Sequence, residues 1–345
     1  MSLTIKPTNM KKNIISLLAL SLTAVMAFTF ASCNDEWTEE QYEHYYSFRA
    51  PLDDNGVTAV YVPFARHDDN GGYLYGAGLS SYNLPVIVSG STKNDKERVV
   101  QIAHDTDTLP ILNYQRFQNR TELYYEDMSA YATYPSTVTI GKGQDVGLLD
   151  IRFDFSAGID LSRKWVLPIK VVENGHPRKN YAKAMLRIYP YNDYSGNYSA
   201  TTLKLANGYD TSNAIGMEVS RAYVVDENTI FFYAGNIDET RIDRANYKIF
   251  CRFSPGDQGG VTMWSDNPAM KFITDGKSTF RIYDRTDDVQ PYLIHHYIII
   301  NNISYSYVDY TSVSGLELLY TAEGSMTLER KINTQIPNED QAIEW

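Results

Sequence analysis

Residues 148–155 read Leu148-Leu149-Asp150-Ile151-Arg152-Phe153-Asp154-Phe155, a run in which apolar and charged side chains alternate. A period of two places the two kinds of side chain on opposite faces of a strand, so this stretch predicts a half-buried β-strand. Similar short segments recur from Val57 onward, separated by clusters of Gly, Asn, Asp and Pro. None is followed by an amphipathic helix of about ten to fifteen residues, which disfavours a parallel sheet. The pattern therefore predicts an all-β fold built from antiparallel sheets.

The strand pattern breaks at residues 189–193, where Pro190 and the polar turn Asn192-Asp193 end a segment. We place a domain boundary there. Residues 47–190 predict an antiparallel β-sandwich, and residues 191–345 predict a second antiparallel domain that is either a sandwich or a closed barrel. Helix is expected only in short pieces, at residues 38–46 and 115–127.

Composition limits the possible functions. The chain has 345 residues, of which 43% are hydrophobic, so it is long enough to bury two cores. Its formal net charge is −11, which provides no basic surface for a phosphate backbone. Nucleic acid is therefore not an expected partner.

The two cysteines are Cys33 and Cys251. Two thiols exclude a disulfide-stapled scaffold and a thiolate metal cluster. Cys251 lies among alternating apolar residues, so it is interpreted as a buried strand cysteine and not as a nucleophile.

Residues 1–33 are interpreted as a signal segment. Two lysines, an apolar run and small residues precede Cys33, and Met10 looks like the true start. The end of this segment, Phe30-Ala31-Ser32-Cys33, resembles the lipobox of bacterial lipoproteins, which implies acylation of Cys33 and anchoring in the outer membrane. A single membrane-spanning helix is the alternative, but the acidic residues that follow lack the Lys or Arg of a stop-transfer segment. Residues 34–46 are expected to be a flexible tether, and they resemble an export signal to the cell surface.

Neither a metal site nor a cofactor site is predicted. His295 and His296 are the most metal-like pair, but neighbouring residues of a strand point to opposite faces and cannot chelate one ion together. The run at residues 68–72, Asp-Asp-Asn-Gly-Gly, is better interpreted as a turn than as a calcium loop.

Catalytic motifs are also missing from the sequence. No Gly-x-Ser-x-Gly elbow precedes a helix. Asp238, Glu239 and Asp243 could supply the carboxylate pair of a glycoside hydrolase, but their segment is better interpreted as an exposed loop that caps a turn. The sequence predicts that the protein is not an enzyme; an extracellular glycoside hydrolase or esterase is the alternative.

Aromatic residues are the strongest candidates for a binding site, since the chain contains 28 Tyr. Trp264 precedes Asp266 and Asn267, and this combination suits a sugar, whose C–H face packs on a ring while polar side chains bind its hydroxyls. A half-buried core tryptophan is the alternative. Weaker candidates also border polar turns: Tyr209, Tyr283 and Tyr292.

Several strings resemble a known family. Val60-Tyr61-Val62-Pro63 and residues 163–169, Arg-Lys-Trp-Val-Leu-Pro-Ile, are similar to the domain of unknown function 1735 family of Bacteroidetes surface lipoproteins. Residues 192–196, Asn-Asp-Tyr-Ser-Gly, resemble a companion C-terminal domain, the domain of unknown function 4973 type. The resemblance implies an immunoglobulin-like first domain and a surface protein that binds polysaccharides or oligosaccharides beside a SusC/SusD-type importer. An adhesin or fimbrial protein is a further alternative.

Overall fold

The structure is a computed structural model that describes residues 43–172, 176–179 and 181–345. The predicted signal segment with Cys33, and all of the predicted tether before residue 43, lie outside the described residues.

Ten strands make up the first half of the chain, and they form two sheets. They are β1 (Tyr45–Phe48), β2 (Thr58–Pro63), β3 (Leu79–Ser89), β4 (Arg98–His104), β5 (Tyr125–Asp127), β6 (Ala132–Thr133), β7 (Thr137–Ile140), β8 (Val146–Asp154), β9 (Lys164–Val171) and β10 (Lys183–Tyr191). One sheet has the order β1-β3-β8-β6, and the other has the order β2-β10-β9-β4-β7 with β5 added beside β9.

The two sheets pack face to face. A single apolar cluster contains Leu84 of β3 and Ile151 of β8 from one sheet together with Leu167 of β9 and Leu186 of β10 from the other. All four side chains are fully buried. Two strand pairs, β2 with β10 and β5 with β9, are parallel, so the sandwich is not purely antiparallel.

Twelve further strands form the second half. They are β11 (Gly196–Ser199), β12 (Lys204–Asn207), β13 (Ile215–Gly216), β14 (Val219–Asp226), β15 (Thr229–Tyr233), β16 (Lys248–Phe253), β17 (Gln258–Trp264), β18 (Ile273–Thr274), β19 (Thr279–Thr286), β20 (Leu293–Asp309), β21 (Leu318–Asn333) and β22 (Ile343–Glu344).

Eight of these strands close into a barrel, which resolves the choice between sandwich and barrel. Neighbours pair antiparallel in the order β11-β14-β15-β16-β17-β19-β20-β21, and β21 pairs again with β11. The interior is filled by large side chains, among them Tyr198, Phe232, Tyr247 and Tyr305. Because the ring follows chain order, this is an up-and-down barrel, and the expectation of an all-β fold is confirmed.

Helix is limited to short segments. The α-helices are α1 (Thr108–Phe117) and α2 (Glu339–Ala342), and the 3-10 turns cover Thr121–Leu123, Ser129–Tyr131, Thr211–Asn213, Arg244–Tyr247 and Pro268–Met270. The prediction of a helix at residues 115–127 is therefore wrong. The helix starts earlier because the Asp105 carboxylate accepts a 2.6 Å bond from the Thr108 hydroxyl beside its first turn. Asn113 then bonds the main-chain N–H and carbonyl of Tyr125, which fixes β5 as a strand beside the helix.

The predicted tether extends too far. Tyr45 and Tyr46 belong to β1, which pairs with β3 from Tyr45 opposite Ser89 to Phe48 opposite Val86. Tyr46 and Phe48 are buried in the first core. The tether therefore ends before Tyr45. The predicted helix at residues 38–46 is wrong over its described residues 43–46, because two buried aromatic side chains stabilise a strand there.

The two halves meet where β10 ends at Tyr191 and β11 begins at Gly196. The buried Arg330 of β21 donates hydrogen bonds to the main-chain carbonyls of Asn192 and Ser195, which fixes the connecting turn against the barrel. Lys248 of the barrel forms a 2.8 Å ion pair with Asp160 of the first half. These contacts hold the halves around a cleft.

Candidate functional site

The candidate site is the cleft between the sandwich and the barrel, called here the central cleft. Its polar wall is formed by Lys164 and Arg187 of the first half and by Arg221, Tyr223 and Glu239 of the second. Its volume is about 90 Å³, which is enough for a few water molecules or one small polar group. The cleft is therefore suited to part of a ligand and not to a whole sugar ring.

An ion pair crosses the cleft. The Arg187 guanidinium donates a 2.6 Å hydrogen bond to the Glu239 carboxylate. Burial disfavours the charged form of Glu239, yet its pKa is lowered because Arg187, Arg221 and Lys164 surround it. Burial likewise opposes the charge of Arg187, and Glu239 outweighs it, so the Arg187 pKa is raised. The loop that carries Glu239 therefore faces a strongly positive wall.

Lys164 carries a charge that is poorly compensated. Lys164 is 8% exposed, and burial lowers its pKa to about 8. The nearby positive charges of Arg187, Arg244 and Arg116 lower the pKa further, whereas the negative charge of Glu239 raises it. Its ammonium lies 5.1 Å from the centre of the Phe117 ring. Among the described residues Lys164 has neither a hydrogen bond nor an ion pair, so its ammonium is an unpaired donor on the wall of the cleft.

Arg221 lies between two tyrosine rings. Its guanidinium carbon is 4.3 Å from the ring centre of Tyr189 and 5.5 Å from that of Tyr223. Burial raises the pKa of Tyr189 to about 12, so both rings stay neutral at ordinary pH. In the described part of the chain no carboxylate or carbonyl accepts a hydrogen bond from the Arg221 side chain. Its donors are therefore free for a ligand.

A row of aromatic rings leads away from the cleft across the outer face of the barrel. Tyr223, Phe231, Phe250 and Trp264 lie directly opposite one another on β14, β15, β16 and β17. Their successive ring centres are 5.0, 6.0 and 5.3 Å apart. This aromatic row joins the central cleft to the tryptophan that the sequence singled out, although Phe231 within it is buried.

Trp264 has features both of a binding platform and of a half-buried core tryptophan, the two interpretations made from the sequence. The ring is half-buried, stacks on Phe250 and has the Arg252 guanidinium 5.4 Å from its centre. Its indole N–H donates a 3.0 Å bond to Asp266. Asn267 is already engaged, because its amide donates to the Asn246 carbonyl and to the Tyr310 hydroxyl and accepts from the Ala269 N–H. The structure thus places Trp264 and Asp266 together, but Asn267 has a structural role there.

The three candidate tyrosines do not join this group. Gly260 of β17 pairs with Thr279 of β19. Trp264 and Tyr283 each lie four residues after that pair, and because the strands are antiparallel they lie in opposite directions. They are therefore about 26 Å apart along the strands. Tyr292 lies at the same end as Tyr283, where its carbonyl accepts bonds from Thr334. Tyr209 follows β12 and is 76% exposed. The sequence could not show this separation because it depends on strand register.

A larger pocket adjoins the central cleft and shares Arg221, Tyr223 and Glu239 with it. This side pocket has a volume of about 480 Å³, within the range of small-molecule sites. Its remaining wall includes Glu218 at the start of β14 and Asp238 of the loop after β15. The side pocket is large enough for a sugar ring, with carboxylates that can accept bonds from hydroxyl groups.

The position of Glu239 shows that the prediction of an exposed loop at this segment is wrong for its side chain. Its loop was expected to be exposed, but the Glu239 side chain is only 28% exposed and faces the cleft. Asp238 does bond the Thr240 N–H and hydroxyl, as a turn cap should. A glycoside hydrolase needs one carboxyl group with a raised pKa, and the lowered pKa of Glu239 does not suit that role.

Two features are absent from residues 43–172, 176–179 and 181–345. Nowhere in this part of the chain do three or more His, Cys, Asp or Glu side chains come together in a way that could hold a metal ion. Over the same residues, no helix has the length and apolar character required to cross a membrane.

Comparison with known proteins reveals the family. A sequence profile of a domain of unknown function, DUF4973, matches residues 37–175, and a profile of a C-terminal domain matches residues 182–327. The solved structure of an auxiliary nutrient binding protein from Bacteroides thetaiotaomicron is 49% identical, with a TM-score of 0.79 over 88% of this chain and 100% of that one. The chain belongs to the family of this protein, and its first half is a DUF4973 domain.

Two more solved structures support the assignment. A multidomain protein including DUF1735 from Bacteroides ovatus is 40% identical, with a TM-score of 0.75 over 87% of this chain and 100% of that one. A protein of unknown function from the same species is 34% identical, with a TM-score of 0.74 over 89% and 97% of the two chains. None of the curated proteins compared with the chain matches it.

The family resemblance seen in the sequence is thus confirmed, with one change of position. The DUF4973 profile matches the first half of this chain, whereas the resemblance had given that type to the second half. A separate profile describes the second half, where the barrel lies.

Proposed function

We propose that this protein is a nutrient-binding accessory protein whose ligand is a glycan held in the central cleft and side pocket. The observation that carries the proposal is the 49% identity, over the full length of the solved relative, to a protein named for auxiliary nutrient binding. The cleft supports it with aromatic rings and unpaired donors at the shared wall of Arg221 and Tyr223.

The chemistry of the pocket favours a sugar among nutrients. Tyrosine rings offer apolar faces to the C–H groups of a pyranose, while guanidinium and carboxylate groups bond its hydroxyls. A purely apolar nutrient would leave the Arg221 donors desolvated without an acceptor, which is unfavourable. Trp264, at the far end of the aromatic row, is proposed as a second contact for a longer chain.

The proposed cellular setting follows from the sequence. Acylation at Cys33 would anchor the protein in the outer membrane, with the body facing the cell surface beside a SusC/SusD-type importer. The relatives described here are named as an auxiliary nutrient binding protein, a multidomain protein including DUF1735 and a protein of unknown function, and none of the three names is that of an enzyme. We therefore propose binding without catalysis.

The test is a glycan array probed with residues 34–345, combined with a reducing-end assay on the same glycans. Binding without release of reducing ends is expected. Hydrolysis of a bound glycan would contradict the non-enzymatic proposal, and the absence of binding to any glycan would contradict the proposed ligand class.

Trp264→Ala tests the second contact. If Trp264 is a platform, affinity for a long glycan falls several-fold while the melting temperature holds. If its contact with Phe250 is mainly structural, the melting temperature falls and the folded protein binds normally, which would remove Trp264 from the site.

A further inference from the structure

The central cleft holds more positive charge than its own residues neutralise. Lys164, Arg187 and Arg221 all act electrostatically on Glu239, which bonds directly to Arg187. Two further carboxylates, Glu329 and Glu344, also line the cleft beyond this group. Arg163 pairs with Glu126 at 2.7 Å, and Glu329 accepts from His295 at the other end.

We infer that the central cleft is a subsite for a single anionic group, so that the preferred ligand is an acidic glycan carrying a carboxylate or sulfate. This inference rests on the proposed function and names its ligand class. Lys164 and Arg221 are the two donors for the anion, since Arg187 is already bonded to Glu239.

Size and shape support this assignment. A volume of about 90 Å³ admits a carboxylate or sulfate and excludes a whole sugar ring. The sugar itself then occupies the adjoining side pocket of about 480 Å³, against the shared residues Arg221 and Tyr223.

Charge also fixes the orientation of the ligand. Glu218 and Asp238 in the side pocket repel an anion but accept bonds from neutral hydroxyl groups. The acidic group is therefore directed into the central cleft, and the hydroxyls face the side pocket.

Burial makes the subsite selective for charge. In a poorly hydrated cleft, an unpaired cation is unfavourable, and an incoming anion relieves that penalty. A neutral sugar cannot do so. Discrimination between acidic and neutral forms of one glycan is consequently expected to be large.

The experiment uses acidic oligosaccharides, each paired with its neutral form. Uronate oligosaccharides are paired with their methyl esters, and sulfated oligosaccharides with their desulfated forms, so the two arms separate a carboxylate from a sulfate. Calorimetric titration of the protein comprising residues 34–345 is expected to show at least tenfold tighter binding of one acidic form than of its neutral partner. The advantage should shrink as salt is raised.

Variants connect the preference to the cleft. Arg221→Met should abolish the advantage of the acidic form, Arg221→Lys should keep part of it, and Lys164→Met should reduce it. The matched control is Arg285→Met, which removes an exposed arginine paired with Asp288 and should change nothing. The Lys164 variant also serves as the second test if Arg221→Met fails to fold.

This inference would be overturned if acidic and neutral forms bound equally well. It would also be overturned if the preference for the acidic form survived both the Arg221→Met and Lys164→Met substitutions. Either result would leave glycan binding itself intact. Binding only to glycans without acidic groups would also overturn the inference. Absence of binding to every glycan would instead overturn the proposed function.

Discussion

At the scale of single residues, Glu239 is the group on which the cleft depends. Glu239→Gln leaves Arg187 buried without its anionic partner, so we expect the free energy of unfolding to fall by about 3 kcal/mol. Chemical denaturation measures this change. The control is Glu317→Gln, which breaks the exposed pair with Lys271 and should cost less than about 1 kcal/mol. Equal losses for the two variants would contradict the buried ion pair.

Lys164 gives a prediction about pH. Its folded pKa of about 8 is below its ordinary value of 10.5, so between these values the folded protein binds fewer protons than the unfolded chain. The free energy of unfolding therefore rises as pH increases from 8 to 10.5. The destabilisation caused by burying the charged Lys164 is largest below pH 8.

Lys164→Met should accordingly be more stable than the wild type at pH 7, by about 2 kcal/mol, and this advantage should shrink between pH 8 and 10.5. Denaturation curves at several pH values check the trend. Lys277→Met, at a largely exposed side chain, serves as the control and should show no such change. A constant difference across the pH range would show that Lys164 is not buried as a charged group.

The sequence could predict residue types for the site but not their grouping. Trp264 and Asp266 were found because they are close in the chain, and they do bond to each other. Lys164, Arg187, Arg221 and Glu239 were missed as a group because they come from separate strands and a loop. Only the meeting of sandwich and barrel brings them together, and a single sequence contains no signal for that contact.

At the scale of elements, a change of strand partner along β21 shapes the barrel. β21 pairs with β11 at Leu328 and with β12 from Glu323, so it changes partners around Gly324. Gly324 has φ +144°, and a Cβ there would lie 2.1 Å from the Thr202 carbonyl oxygen. Only glycine satisfies both conditions.

Gly324→Ala should therefore destabilise the protein by about 2–4 kcal/mol, through backbone displacement and an unfavourable φ. A thermal melt of purified protein detects this loss. Gly260→Ala on β17 is the matched control, because a Cβ at Gly260 meets nothing within 4 Å, and its melting temperature should stay or rise slightly. A neutral result at Gly324 would contradict the requirement for glycine where β21 changes partners.

The strand pattern predicted most elements correctly, because period-two alternation is a local property. Closure of the barrel was not predictable in the same way, since the pairing of β21 with β11 joins segments far apart in the chain. The helix was displaced for a related reason. A hydrogen bond from the Thr108 hydroxyl to the Asp105 carboxylate starts the helix earlier than the apolar pattern suggested.

At the scale of the whole molecule, the membrane anchor is a prediction from the sequence. Cys33→Ala should release the protein from the outer membrane or leave its signal segment unprocessed, because the proposed acyl chains would attach at that thiol. Fractionation and protease treatment of intact cells measure the outcome. An unchanged membrane fraction with unchanged accessibility to protease would contradict lipidation at Cys33.

The central claim is that glycan binds where the two halves meet. The most direct measurement is the affinity of Tyr223→Ala for the tightest glycan found on the array, compared with Tyr283→Ala on the distant barrel face, with melting temperatures recorded for both. We predict that the Tyr223 variant binds at least tenfold more weakly, because it loses the ring shared by the cleft and the side pocket. The Tyr283 variant should bind as the wild type does. Normal binding by a folded Tyr223→Ala protein, or a loss confined to Tyr283→Ala, would contradict the account.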